Sequence, residues 1–192
     1  GAQTLRNKAS VLTESGIDAD TINRLDEALA LKGIKAKSVD AIPSKSTVTT
    51  VLVGVKGSGG AVDTYVDQLV QDGKLSYTDG LFDHNDSYAL ASLPSDGNEP
   101  DRVIVLGKTT DAAYYGLTTL YQILQQTSDA KLRTFTMSDY ADVVTRGFIE
   151  GYYGNPWSTE DRVNLMQWGG YYKLNAYVYA PKDDPKHNAM WR

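Results

Sequence analysis

The chain has 192 residues, 41% of them hydrophobic and 22% charged, and a formal net charge of −5. That is enough apolar material for one domain with its own core, or one domain and part of another, and it argues against a disordered chain. Cysteine is absent, which removes disulfides, thiolate zinc sites and cysteine nucleophiles together. Lysine and arginine gather on no single helix, so no nucleic-acid partner is expected. No apolar run approaches the roughly 18 residues of a membrane span. No signal peptide is visible, and the start Gly1-Ala2-Gln3 reads as a processed or artificial end.

Residues 8–13 read as a short strand, followed by a helix with Asp18 or Asp20 as N-cap, an apolar stripe of Ile22, Leu25 and Leu29, and Gly33 as the stop. The β-branched run at 47–55 suits a strand buried on both faces. Gly57, Gly59 and Gly60 turn the chain into a second helix, whose Val62, Tyr65, Val66, Leu69 and Val70 fall on one face. Strands are expected at 86–93 and 102–106, joined by the Pro/Gly loop 94–100, and a third helix at 110–126 turns Ala113, Leu117, Leu120, Tyr121 and Leu124 inward. This alternation predicts a mixed α/β sheet domain over residues 1–141.

From residue 142 the character changes. Residues 143–150 read as a strand, 151–157 as a turn dense in Gly, Tyr and Pro, and Ser158 as the N-cap of a helix with Asp161 completing a capping box. Val163, Leu165, Met166 and Trp168 give that helix apolar surface. A second strand follows at 175–179, and Asp184-Pro185 has the form of a further helix start. Strand, helix, strand, helix start is the opening of a parallel β/α unit.

Several motifs fail on inspection. Gly107-Lys108-Thr109 ends like a phosphate loop, but Arg102 stands where the motif needs its first glycine. The glycines at 57, 59 and 60 follow a strand, but Val62 occupies the last glycine position of a dinucleotide fingerprint. His84 lies in a hydrated loop without a visible partner ligand. Asp183, Asp184 and His187 could suggest a metal cluster, but the capping role of Asp184 explains most of their spacing. No metal or cofactor is expected.

The stretch 146–157 reads Arg-Gly-Phe-Ile-Glu-Gly-Tyr-Tyr-Gly-Asn-Pro-Trp, a hydrophobic strand that ends in a carboxylate, glycines and aromatic rings. The second strand ends alike, in Tyr177, Tyr179, Lys182, Asp183 and Asp184. In β/α barrels the C-terminal strand ends build the active site. Glycine there lets a ligand approach the backbone, and aromatic rings offer faces to sugars. The pattern by itself suggests a sugar-binding barrel, with rim packing and helix caps as the competing explanation.

The stretch 146–157, the following Ser-Thr-Glu-Asp-Arg at 158–162, and residues 174–187 resemble glycoside hydrolase family 84, which holds bacterial exo-β-N-acetylglucosaminidases, hyaluronidase-like and mu-toxin-like proteins among them, and animal O-GlcNAcase. About 50 residues carry the close match. Residues 14–18 and 108–116 resemble, more softly, the α/β domain that precedes the barrel in bacterial members. The resemblance implies a TIM-type barrel of which residues 142–192 are the first one to two β/α units. It implies substrate-assisted, retaining hydrolysis of terminal β-linked N-acetylglucosamine, in which the sugar's own acetamido oxygen attacks and an oxazoline forms. Gly151 matches a position whose carbonyl accepts a sugar hydroxyl, Lys182 a lysine that bonds sugar hydroxyls, and Tyr153 an aromatic lining the same pocket. Glu150 matches a structural position, and the catalytic Asp pair belongs to a later strand. No catalytic residue is therefore expected in these 192 residues, which should be inactive alone. Expected partners are N-acetylglucosamine-containing glycans and the remainder of the barrel; the location implied is extracellular or at a bacterial cell surface. Two other readings compete: a non-catalytic carbohydrate-binding module, and a family 20 hexosaminidase, which uses an Asp-Glu pair and which the Glu-Gly-Tyr-Tyr-Gly-Asn-Pro-Trp block disfavours.

Overall fold

The β-branched run becomes strand β4 (Thr49–Val55), and its alternation sets the layers of the domain. Val51 and Val53 point into one apolar cluster and Leu52 into another, all three fully buried. A strand buried on both faces needs cover on both sides. In the computed structural model, which describes residues 1–151, 156–180 and 189, helices α1 (Ala19–Ala30) and α3 (Thr110–Gln126) supply it on one face and α2 (Ala61–Gln71) on the other. Leu25, Ala28 and Leu29 of α1 pack with Leu117, Leu120 and Leu124 of α3, while Val62, Val66 and Leu69 of α2 meet Leu52, Ile104 and Leu106. Each of these leucine, isoleucine and valine side chains contributes roughly 1.5–3 kcal/mol when fully buried.

The sheet has six strands. With β2 (Lys8–Thr13), β3 (Lys35–Ser38), β5 (Tyr88–Leu93), β6 (Arg102–Gly107) and β8 (Phe135–Asp139), the order is β3-β2-β4-β6-β5-β8. The first four are mutually parallel, while β5 runs antiparallel to both β6 and β8, so the sheet is mixed as expected. A separate ribbon pairs β1 (Ala2–Thr4) with β7 (Lys131–Arg133). Gln3 on β1 is buried and fully used: its amide nitrogen donates to Ser92 Oγ at 2.9 Å and the Arg102 carbonyl at 2.7 Å, and its oxygen accepts from Thr49 Oγ1 at 3.0 Å.

Several boundaries differ from the sequence expectation for local reasons. Strand β5 starts at Tyr88 because Asp86 sits at φ +51°, a turn conformation. Strands β1, β3, β7 and β8 were not expected. Strand β3 reads Lys-Ala-Lys-Ser and is exposed throughout, so it lacks the apolar alternation that marks a strand.

The chain divides into two compact units, Gly1–Asp142 and Val143–Arg192. In the second, β9 (Gly147–Glu150) and β10 (Ala176–Tyr179) pair in parallel, with α4 (Thr159–Gly170) between them in sequence. Strand β9 is shorter than the expected 143–150. The Arg146 guanidinium donates to the Val143 carbonyl at 2.7 Å and the Val144 carbonyl at 3.2 Å, which bends that segment out of the ladder. The predicted capping box at Ser158 and Asp161 is present. Phe148 faces α4, where Gly169 lets the helix come close; a Cβ on Gly169 would stand 2.9 Å from the Phe148 ring. On the opposite face of the strand pair, Ile149 and Val178 are register partners, 75% and 49% exposed.

Candidate functional site

Glu150 closes β9, and its side chain turns toward α4 rather than outward. It is 4% exposed. Arg162, in α4, approaches it as a fork: Nε to Oε2 at 2.7 Å and Nη2 to Oε1 at 2.8 Å. Bidentate pairs of this kind are among the stronger and more directional contacts available to a carboxylate. The Tyr177 hydroxyl donates to the same Oε2, and the Trp157 backbone N–H adds a further hydrogen bond. The Arg162 hydrogen bond, more than anything else, holds the Glu150 carboxyl below the usual glutamate range. The guanidinium carbon also lies 5.0 Å from the centroid of the Tyr179 ring, within cation–π range. Glu150 is thus an ionised carboxylate with both oxygens occupied, which suits a structural role and not proton donation.

Gly151, immediately after Glu150, is exposed, and the space where a Cβ would stand is open among the described residues. A ligand could reach its backbone. Tyr153 and Lys182 lie outside the described residues, as do Asp183, Asp184 and His187. The sequence pattern leaves Tyr177 and Tyr179 open between rings that face a sugar and rim packing. In the structure they are register partners of Phe148 and Glu150 and engage the Glu150–Arg162 pair. Arg162 was not singled out from sequence. The available signal was a strand-end carboxylate that needed a cation, with an arginine entering the next helix.

Beside this cluster α4 carries an apolar groove of about 630 Å³. Phe148, Trp157, Leu165, Trp168, Tyr172 and Leu174 line it. The Trp168 and Tyr172 rings stack with centroids 5.5 Å apart.

The motifs rejected in the first unit have clear structural roles. Glu14 Oε1 accepts from the Asp63 backbone N–H at 2.9 Å, and Oε2 from the Val55 N–H at 3.1 Å and Ser58 Oγ at 2.8 Å. The protein's own carboxylate therefore fills the start of α2, where a phosphate would otherwise bind. A Cβ on Gly60 would stand 2.6 Å from Glu14 Cδ, so that glycine makes room for the carboxylate. Thr109 caps α3, accepting from the Ala112 N–H at 3.1 Å. His84 stacks on Tyr140 at 3.9 Å. Among the described residues no group of three or more His, Cys, Asp or Glu could hold a metal ion, and no helix is long and apolar enough to cross a membrane.

Two family models match the chain. A beta-N-acetylglucosaminidase model covers residues 146–192, and the model for glycosyl hydrolase family 20, domain 2, covers residues 1–140. A solved structure described as CpGH84D is 41% identical over 97% of the chain, with a TM-score of 0.83. The chain belongs to the O-GlcNAcase-like proteins of glycoside hydrolase family 84. Protein O-GlcNAcase from Rattus norvegicus and that from Mus musculus are each 50% identical to this family 84 chain over 46 residues, 24% of its length. The chain spans 5% of those O-GlcNAcases and 29% of the CpGH84D chain. A Flavobacterium johnsoniae chitobiase of family 20 shares the fold over 93% of the chain and 24% of its own, at 16% identity and a TM-score of 0.57. The first domain is thus of a type matched in family 20 as well.

Proposed function

We propose that the chain is the N-terminal portion of a retaining exo-β-N-acetylglucosaminidase that removes terminal β-linked N-acetylglucosamine from glycoconjugates. Residues 1–141 form the accessory α/β domain, and 142–192 open the catalytic (β/α)8 barrel. The observation that carries this reading is the beta-N-acetylglucosaminidase match over 146–192, which falls on the strand-end block beginning Glu150-Gly151.

The chemistry is substrate-assisted. The 2-acetamido oxygen attacks the anomeric carbon, one Asp orients the acetamido N–H, and a second Asp serves as general acid and then base, with its pKa moved toward neutrality. Both lie on a later strand, so the 192 residues alone are inactive. Gly151 receives a sugar hydroxyl on its carbonyl, Lys182 donates to sugar hydroxyls, and Tyr153 lines the pocket. The bare Ile149–Val178 face supports the barrel reading: such a pair suits the interior of a closed barrel and is poorly placed against water. The protein acts on extracellular or cell-surface glycans.

The test is hydrolysis of an aryl β-N-acetylglucosaminide by the 192-residue form beside a longer form that carries the whole barrel. Activity only in the longer form, with a raised KM on Lys182→Ala, supports the proposal. A folded longer form that binds the sugar without hydrolysing it points to a non-catalytic carbohydrate-binding module. Hydrolysis by the 192-residue form refutes the placement of the acids.

A further inference from the structure

We infer that Glu150 and Arg162 form a positioning pair for the sugar pocket, fixing the ends of both strands that carry its binding residues. The inference rests on the proposed function. Gly151 follows Glu150 directly, and Lys182 follows Tyr179 by three residues. One carboxylate is held from three places in the second unit: Arg162 on α4, the Tyr177 hydroxyl on β10, and the Trp157 backbone N–H just before α4. The same guanidinium covers the Tyr179 ring at 5.0 Å. The main chain repeats the tie, since the Ala180 N–H donates to the Glu150 carbonyl at 2.9 Å. Side chain and backbone of one residue thus join the two strand ends.

The need for such a device follows from Gly151. A backbone carbonyl discriminates among sugar hydroxyls only if its position is fixed to a fraction of an ångström. Glycine has the widest conformational freedom and no side chain with which to pack. Among the described residues Glu150 is the neighbour that supplies a constraint, its carboxylate held from three places. Both members of the pair lie on the α4 face of β9. They act through Gly151 and do not touch the sugar.

The test uses the longer form with the whole barrel and measures kcat and KM on an aryl β-N-acetylglucosaminide and its monodeoxy analogues. Arg162→Lys keeps the positive charge and loses the fork. We expect KM to rise about tenfold with a smaller change in kcat, and the spread of penalties among the deoxy analogues to narrow. Tyr177→Phe removes one hydrogen bond only, and should raise KM about threefold with the same loss of discrimination, even if Arg162→Lys folds poorly. An unchanged KM in both variants overturns the inference. So does a loss of activity that is equal for all analogues and follows the melting temperature, since that is the mark of stability alone. An inactive wild type overturns the proposed function first, and this inference with it.

Discussion

The Glu14 carboxylate and the Asp63 backbone N–H meet at 2.9 Å, so the start of α2 is filled by an anion from the residue that follows β2. Gly54 and Gly60 leave room for that carboxylate, since a Cβ would stand 2.7 Å from it on Gly54 and 2.6 Å on Gly60. Replacing Glu14 with Ala strands the Val55 and Asp63 N–H groups that it satisfies, and should cost about 1–3 kcal/mol. Glu14→Gln, which retains an acceptor, should cost less. Urea unfolding of the two variants checks the order.

Glycines of two kinds make a second prediction. A Cβ on Gly107 would stand 2.3 Å from the Ala113 nitrogen, a backbone atom in α3 that has no room to move. Gly107→Ala should destabilise by about 3 kcal/mol. Gly57 has φ +78° and open space around it, so Gly57→Ala pays only the left-handed backbone penalty of about 1–2 kcal/mol. Equal losses in thermal melts would contradict this assignment.

Asp18 caps α1 and accepts from both the Thr21 N–H at 2.8 Å and its hydroxyl at 2.7 Å. The hydroxyl, then the N–H, lowers its pKa from the ordinary 3.8. A depressed acid stabilises the fold above its unfolded pKa and loses that contribution as pH falls through the folded one. Asp18→Ala should therefore cost about 1 kcal/mol at pH 7. The gap between variant and wild type should narrow below the ordinary value, which melts from pH 7 down to pH 3 would show.

Tyr88 behaves with the opposite sign. Its buried hydroxyl donates to Asp139 Oδ2 at 2.6 Å and lies 2.6 Å from Thr119 Oγ1; burial, and then the bond to Asp139, raises its pKa far above 10.0. The stabilisation is complete below the unfolded value and fades as pH rises beyond it. In an ultraviolet titration Tyr88 should stay un-ionised until the protein unfolds, and Tyr88→Phe should remove one late-titrating group.

The Ile149–Val178 face offers a test of the barrel by solubility. In the 192-residue form Ile149→Ser should leave the melting temperature unchanged and reduce self-association in light scattering, because an exposed side chain has little packing to lose. In the longer form the same change should destabilise by about 2–5 kcal/mol if the barrel covers that residue.

What could be read from sequence divides along physical lines. Strands β2, β4, β5 and β6 and helices α1 to α3 carry strong apolar patterning, and Asp18, Thr109 and Ser158 mark helix starts by side-chain chemistry that acts within a few residues. Strands β1, β3, β7 and β8 escaped notice because they are short or exposed and owe their existence to partners distant in sequence. The candidate site was legible as a cluster of unusual residues at a strand end. Which way each side chain turned was not. Only pairing register puts Tyr177 and Tyr179 on the Glu150 side, and only the path of α4 brings Arg162 to that carboxylate.

Strand β3 lies at one border of the sheet, with Lys35 and Lys37 exposed. A second molecule adding there edge to edge would bring its own lysines against these, and the repulsion would resist each new addition. The border that was hardest to recognise as a strand is thereby also a poor seed for polymerisation.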